Sequence, residues 1–143
     1  MPQFPSVDWF DAVRDVFNND EAYHGAGGGA CDTRFGIVVD KQYFRIVMEG
    51  LECTSATSIR KKDLAELDFY LEMEPALWRG MIENIAENGS ANLDYTLNTL
   101  DLDRPERLAK SVSGDQYKED LFFRYNQTLQ FYFDASARIE TTF

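Results

Sequence analysis

Apolar and polar residues alternate along this chain with two different periods, and the switches between them mark its elements. Pro5-Ser6 followed by Val7-Asp8-Trp9 predicts a helix start, with Ser6 as N-cap and Asp8 in the first turn. Trp9, Phe10, Val13, Val16 and Phe17 then share one helical face over Ser6–Asn18. Asn18-Asn19-Asp20 ends that helix. A short helical piece is expected around Glu21–His24, and Gly25–Ala30 (GAGGGA) reads as a flexible connector. From Arg34 the period becomes two. Phe35, Ile37 and Val39 alternate, a tight turn falls at Asp40-Lys41-Gln42, and Phe44, Ile46 and Met48 alternate over Tyr43–Glu49. Beyond a bend at Gly50, the Thr- and Ser-rich stretch Leu51–Ser58 predicts a third strand. Glu66–Met73 is the cleanest strand: Leu67, Phe69, Leu71 and Met73 face one way, and Glu66, Asp68, Tyr70 and Glu72 the other. One apolar and one wet face is the antiparallel pattern.

The helical period returns at Pro75, a good first helical residue. Leu77, Trp78, Met81, Ile82 and Ile85 form the apolar face, and Asn88-Gly89 closes the helix. Gly80 inside it costs about 1 kcal/mol against Ala, which close packing would offset. Ala91–Leu100 predicts a weaker helix, Asp101–Pro105 a break, and Leu108–Val112 a strand or short turn. Ser113-x-x-Gln116 has the form of a capping box and predicts a tail helix running to about Arg138. Leu121, Phe122, Tyr125, Leu129, Tyr132 and Phe133 fall in one arc of that helix, whereas Phe123 and Phe131 fall outside it. Aromatics on more than one face need cover on more than one face, from protein, a partner subunit or an apolar ligand. The elements together predict one α+β domain over residues 1–143, with a sheet on one side and helices on the other.

Composition narrows the function classes. The chain has 143 residues, of which 44% are hydrophobic and 14% aromatic, enough for a substantial core. The formal net charge of −11 repels phosphate backbones and anionic headgroups, so nucleic acid is not expected as a partner. The basic cluster Arg60-Lys61-Lys62 is too short to reverse this and reads as a solvated loop. No apolar run approaches the roughly 20 residues needed to span a bilayer, so stable membrane insertion is not expected. Met1–Ser6 has neither a basic n-region nor an apolar h-region, and the expected location is the cytoplasm. Cys31 and Cys53 lack CxxC spacing and read as buried thiols.

Few residues carry the signature of a reaction. Gly25, Gly27 and Ala30 are spaced like a dinucleotide fingerprint, but they follow a helix and precede a strand, the reverse of what that loop requires. His24, the single histidine, has no Cys or Asp at ligand spacing. Asp101-x-Asp103 lacks the remainder of a calcium loop and reads as a helix terminator. No cofactor and no metal are expected. Asp68 and Tyr70 share a strand face, and an acid with a phenol is a base and oxyanion donor for proton transfer beside a carbonyl. That chemistry needs the acid inside an apolar cavity. The apolar stripes remain, with Met48, Met73 and Met81 adding adaptable surface of the kind that suits ligands of varied shape.

Phe4-Pro5-Ser6 with Trp9, the paired strands, and Leu67-Asp68-Phe69-Tyr70-Leu71 leading into Leu77-Trp78 with Gly80 close by resemble the sterol carrier protein 2 family. The resemblance covers most of the chain up to about Leu100. It implies a five-stranded, mainly antiparallel sheet covered by helices, and a hydrophobic tunnel for a sterol, fatty acid or acyl-CoA. It also implies Phe69, Leu71, Trp78 and Met81 as lining. The chain departs from the family after that point, where Asn92–Asp103 is polar and the tail helix is long and aromatic. A tunnel plugged by side chains, or a dimer contact, would follow. The leading expectation is therefore a non-enzymatic carrier of an apolar small molecule. Its lining is expected to be Phe69, Leu71, Trp78, Met81, Ile85, Phe122, Tyr125, Leu129 and Phe133, with the Tyr125 hydroxyl available to a polar head. The alternatives are a steroid-isomerase-type enzyme using Asp68 or another buried acid with a tyrosine, and an interaction module that forms a homodimer through the aromatic tail.

Overall fold

The computed structural model describes residues 2–102 and 106–143. Helix α1 spans Val7–Asn19, and the Ser6 side chain caps it by accepting the Trp9 amide at 3.1 Å. Strands β1 (Thr33–Val39), β2 (Gln42–Glu49) and β3 (Glu52–Ile59) form an antiparallel meander. The β1–β2 turn places Asp40 at φ 55°, a left-handed conformation that a short polar side chain tolerates. Strand β4 (Phe69–Glu72) lies beside β1 and parallel to it, and β5 (Ala109–Lys110) pairs antiparallel with β4. The sheet order is β3-β2-β1-β4-β5. This is the expected α+β architecture: a five-stranded, mainly antiparallel sheet with one parallel pair.

Helices α1, α2 (Pro75–Asn88) and α4 (Gln116–Asp134) bury their apolar stripes with the inner-face residues of β1, β2 and β4 in one continuous core. Pro75 occupies the first turn of α2, and Gly89 ends that helix in the left-handed region at φ 81°. Gly80 sits where a Cβ would lie 3.2 Å from the Tyr95 ring, so its missing side chain serves close packing.

Several expectations are revised. The stretch Lys61–Glu66 is a 3-10 helix rather than a loop, and Arg60, Lys61 and Lys62 remain exposed on it. Leu67 does not share a face with Phe69. It packs with Leu64 and Val38 on the outer side of the sheet, because the 3-10 helix folds back over that side before β4 begins. Gly36 makes this possible: a Cβ there would lie 2.8 Å from a Leu64 methyl and 3.2 Å from one of Leu67. The N-cap of α4 is Asp115, not Ser113; its carboxylate accepts from the Tyr117 and Lys118 amides, and a carboxylate also favours the positive end of the helix dipole. Helix α3 is confined to Leu97–Leu102, and the preceding residues form turns. The segment Glu21–His24 is a run of turns. The helix α4 continues into a 3-10 turn over Ala135–Arg138. Of the break expected at Asp101–Pro105, Asp101 and Leu102 are still helical, and residues 103–105 lie outside the described residues, as does Asp103 of the Asp-x-Asp pair.

Candidate functional site

The residues expected to line a cavity arrive at one place. Phe69 and Leu71 project from β4, Trp78, Met81 and Ile85 from α2, and Phe122, Leu129 and Phe133 from α4. All eight are buried in the same core. Tyr125 stands half-buried at its margin, with the Arg124 guanidinium 5.5 Å from its ring. Rings from the strands and helices pack against one another in this interior. Five surface grooves of about 240 to 690 Å³ are walled by other residues.

The packing is ordered. Phe35 on β1 stacks on Phe69 on β4, with ring centroids 5.7 Å apart and planes at 12°. Phe69 meets Phe122 edge-on at 6.0 Å, and Phe122 meets Phe123 at 5.5 Å. Phe123 is 41% exposed, with the Arg107 guanidinium 4.9 Å from its ring. Four rings therefore run in series from the middle of the sheet to solvent. Such offset and edge contacts are the favoured aromatic geometries. Phe131, the other residue outside the α4 arc, is half-buried against the core.

The polar tips of the two tryptophans and of Tyr132 are committed to protein partners, whereas the buried Ser136 hydroxyl has none among the described residues. The Trp78 Nε1–H donates to the Val38 carbonyl at 3.1 Å, and the Tyr132 hydroxyl donates to the Phe10 carbonyl at 3.1 Å. The Trp9 Nε1–H donates to Thr141 Oγ1 at 2.9 Å. Asp101 is buried, with one oxygen 3.1 Å from Arg107 Nη2 and the other accepting the Ala109 amide at 3.0 Å, so it ties α3 to β5. Asp134 accepts the Ala91 amide and the Gln130 side chain; burial outweighs these bonds and raises its pKa. Burial pushes Cys31 and Cys53 up to about 12, and the two remain free thiols.

Asp68 and Tyr70 lie outside this core. Asp68 accepts the Thr33 hydroxyl at 2.7 Å and the Arg34 amide at 3.1 Å, and it borders a polar groove shared with Glu49 and Glu66. Tyr70 packs against the small outer cluster, where burial raises its pKa. His24 is exposed in the turns after α1. The glycine-rich segment serves packing: a Cβ at Gly27 would lie 2.9 Å from the Thr128 Cα, so the loop rests directly on α4. No three His, Cys, Asp or Glu side chains among the described residues converge to hold a metal. No helix among them is long and apolar enough to cross a membrane.

One concavity has no counterpart in the sequence expectations. Between the 3-10 helix and the β4–β5 edge, a groove of about 570 Å³ is lined by Lys61, Lys62, Leu64, Ala65, Tyr70 and Val112. Its signal was the three-residue spacing of Leu64 and Leu67 directly after two lysines, which a strand-centred reading of Glu66–Met73 absorbs into the wrong element. No protein-family model, no curated protein and no solved structure matches this chain.

Proposed function

We propose that this chain is a non-enzymatic carrier of an apolar small molecule, of the sterol carrier protein 2 kind, which takes its ligand between the sheet and α4 and works in the cytoplasm. The observation that supports this is the ring series Phe35–Phe69–Phe122–Phe123, which leads from buried strand positions to an exposed aromatic on one helix. A ligand entering beside Phe123 replaces ring–ring contacts by ring–ligand contacts as Phe122 swings aside. Apolar burial at ~25 cal/mol per Å² then provides affinity without a charged anchor. Phe69, Leu71, Trp78, Met81, Ile85, Phe122, Leu129 and Phe133 become the walls, and Tyr125 at the margin is placed for a polar head. The isomerase alternative gains no support from Asp68, whose carboxylate is held by Thr33 and Arg34 outside the apolar core.

Gentle extraction of the purified protein followed by mass spectrometry should recover a stoichiometric lipid. Titration with a fluorescent fatty acid or sterol analogue should saturate, and Phe122→Trp should report uptake through its own emission. If no analogue is taken up and no lipid is recovered, the carrier reading is wrong.

A further inference from the structure

The outer face of the sheet carries a feature that the carrier reading does not use. The groove between the 3-10 helix and the β4–β5 edge has a floor of Leu64 and Tyr70, with Val112 on the far wall. Leu64 packs directly over Gly36. Val112 is 58% exposed, an apolar side chain left beside a concave apolar surface. The rim is cationic. Lys61 and Lys62 both reach the groove, and neither makes an ion pair among the described residues. By contrast, Lys110 nearby is committed to Glu72 and Glu106. Tyr70 lines this space as well, and the charges that act on its hydroxyl are Glu72, Lys110 and Glu119 rather than the two rim lysines. In a chain of net charge −11, two lysines without an ion pair among the described residues stand over an apolar floor.

We propose that this groove is a second ligand site, on the sheet face opposite the core, for a small organic carboxylate with a flat apolar body. The apolar body lies on Leu64, Ala65 and the Tyr70 ring, against Val112. The carboxylate lies between the Lys61 and Lys62 ammonium groups. The groove volume falls within the range of small-molecule sites, which combine an apolar lining with a few placed polar groups. Charge complementarity selects the anion: a cationic ligand meets two like charges, and a neutral one leaves both lysines unused.

The test is a titration of the full chain with 2-naphthoate, followed by backbone amide NMR. Saturable shifts are expected at residues 61–65, 70 and 112. Neutral 2-naphthamide should bind more weakly, and the double variant Lys61→Glu plus Lys62→Glu should lose roughly tenfold in affinity, as expected for hydrogen bonds to charged groups. Both lysines are exposed, so the variant should keep the fold. Val112→Asp, which sets a carboxylate in the groove, should abolish the same shifts. Shifts centred instead on Met81 and Leu129 would place the ligand in the core and overturn the proposal, while supporting the carrier reading. Affinity unchanged in the lysine variant would overturn it as well. Saturable binding of an acidic Asp/Phe peptide with no response to naphthoate would assign the groove to a protein partner and overturn it equally.

Discussion

The indole of Trp78 donates to the backbone carbonyl of Val38 across 3.1 Å, in a position without solvent access. This single bond fastens α2 to the central strand. Trp78→Phe removes it and leaves a void where the second ring stood. Cavity and lost hydrogen bond together cost about 2 kcal/mol. The melting temperature should fall by roughly 5 °C. A urea midpoint equal to that of the wild type would show that the bond and the ring contribute nothing.

Gly27 and Gly29 make a matched pair. At Gly27 a side chain meets the α4 backbone at Thr128, whereas at Gly29 it meets nothing within 4 Å. Gly27→Val should lift the loop from α4, lower the melting temperature and speed amide exchange over residues 21–30. Gly29→Ala should be neutral. Equal behaviour of the two variants would contradict the seating of the loop on α4.

The two thiols set a limit at high pH. Burial raises both to about 12, so each stays protonated in the folded chain where an unfolded thiol ionises. Their stabilising contribution is complete below the unfolded thiol pKa and is lost as pH rises through the folded value. The urea midpoint should therefore be lower at pH 10 than at pH 8, and the loss should shrink in a variant with both Cys31 and Cys53 replaced by Ala. Thiol reagents should react with the native protein only as fast as it opens.

Asp134 follows the same rule as the thiols, now for a carboxylic acid. Its raised pKa means that the carboxylate is penalised by burial even with two donors on it. The protonated form is the better guest, so its contribution is present at low pH and is lost as pH rises through the folded pKa. Asp134→Asn keeps an acceptor for Ala91 and Gln130 without the charge. It should be at least as stable as the wild type at pH 7, as read from thermal melts. A marked loss would mean that the charge itself is needed.

Phe123 and Phe131, alike in sequence, separate in the structure. Phe123 is exposed and Phe131 is half-buried against the core. Phe123→Asp, which loses the Phe122 and Arg107 contacts, should cost about 1 kcal/mol or less, whereas Phe131→Asp should destabilise by about 1–3 kcal/mol. Phe123→Asp alone is therefore the clean probe of a dimer face. Light scattering should give a lower mass for it than for the wild type if the tail joins two copies.

Periodicity located β1, β2, helix α1 and helix α2, and Thr- and Ser-rich composition located β3. It misplaced Leu67, since alternation continues on paper through a point where the backbone turns over to the other side of the sheet. It also chose Ser113 over Asp115 as the cap, because two capping residues two apart are separable only by geometry. The convergence of Phe69, Trp78 and Phe122 was legible as three apolar stripes with one place to go. The parallel seating of β4 beside β1 was not, because strand direction depends on how the intervening 3-10 helix crosses the sheet. Nor was the lysine groove, whose walls come from segments almost fifty residues apart.

The long reach of Tyr132 to Phe10 also has a consequence for how the molecule is made. The meander can pair as soon as it leaves the ribosome, since its partners are neighbours in the chain. Helix α1, translated before it, must hold Trp9, Phe10 and Phe17 without their final cover until α4 and the Thr141 segment emerge. At ordinary elongation rates that interval lasts many seconds. Of the described helices α1 is thus the one exposed longest, and a nascent chain stalled before residue 132 should be a chaperone client.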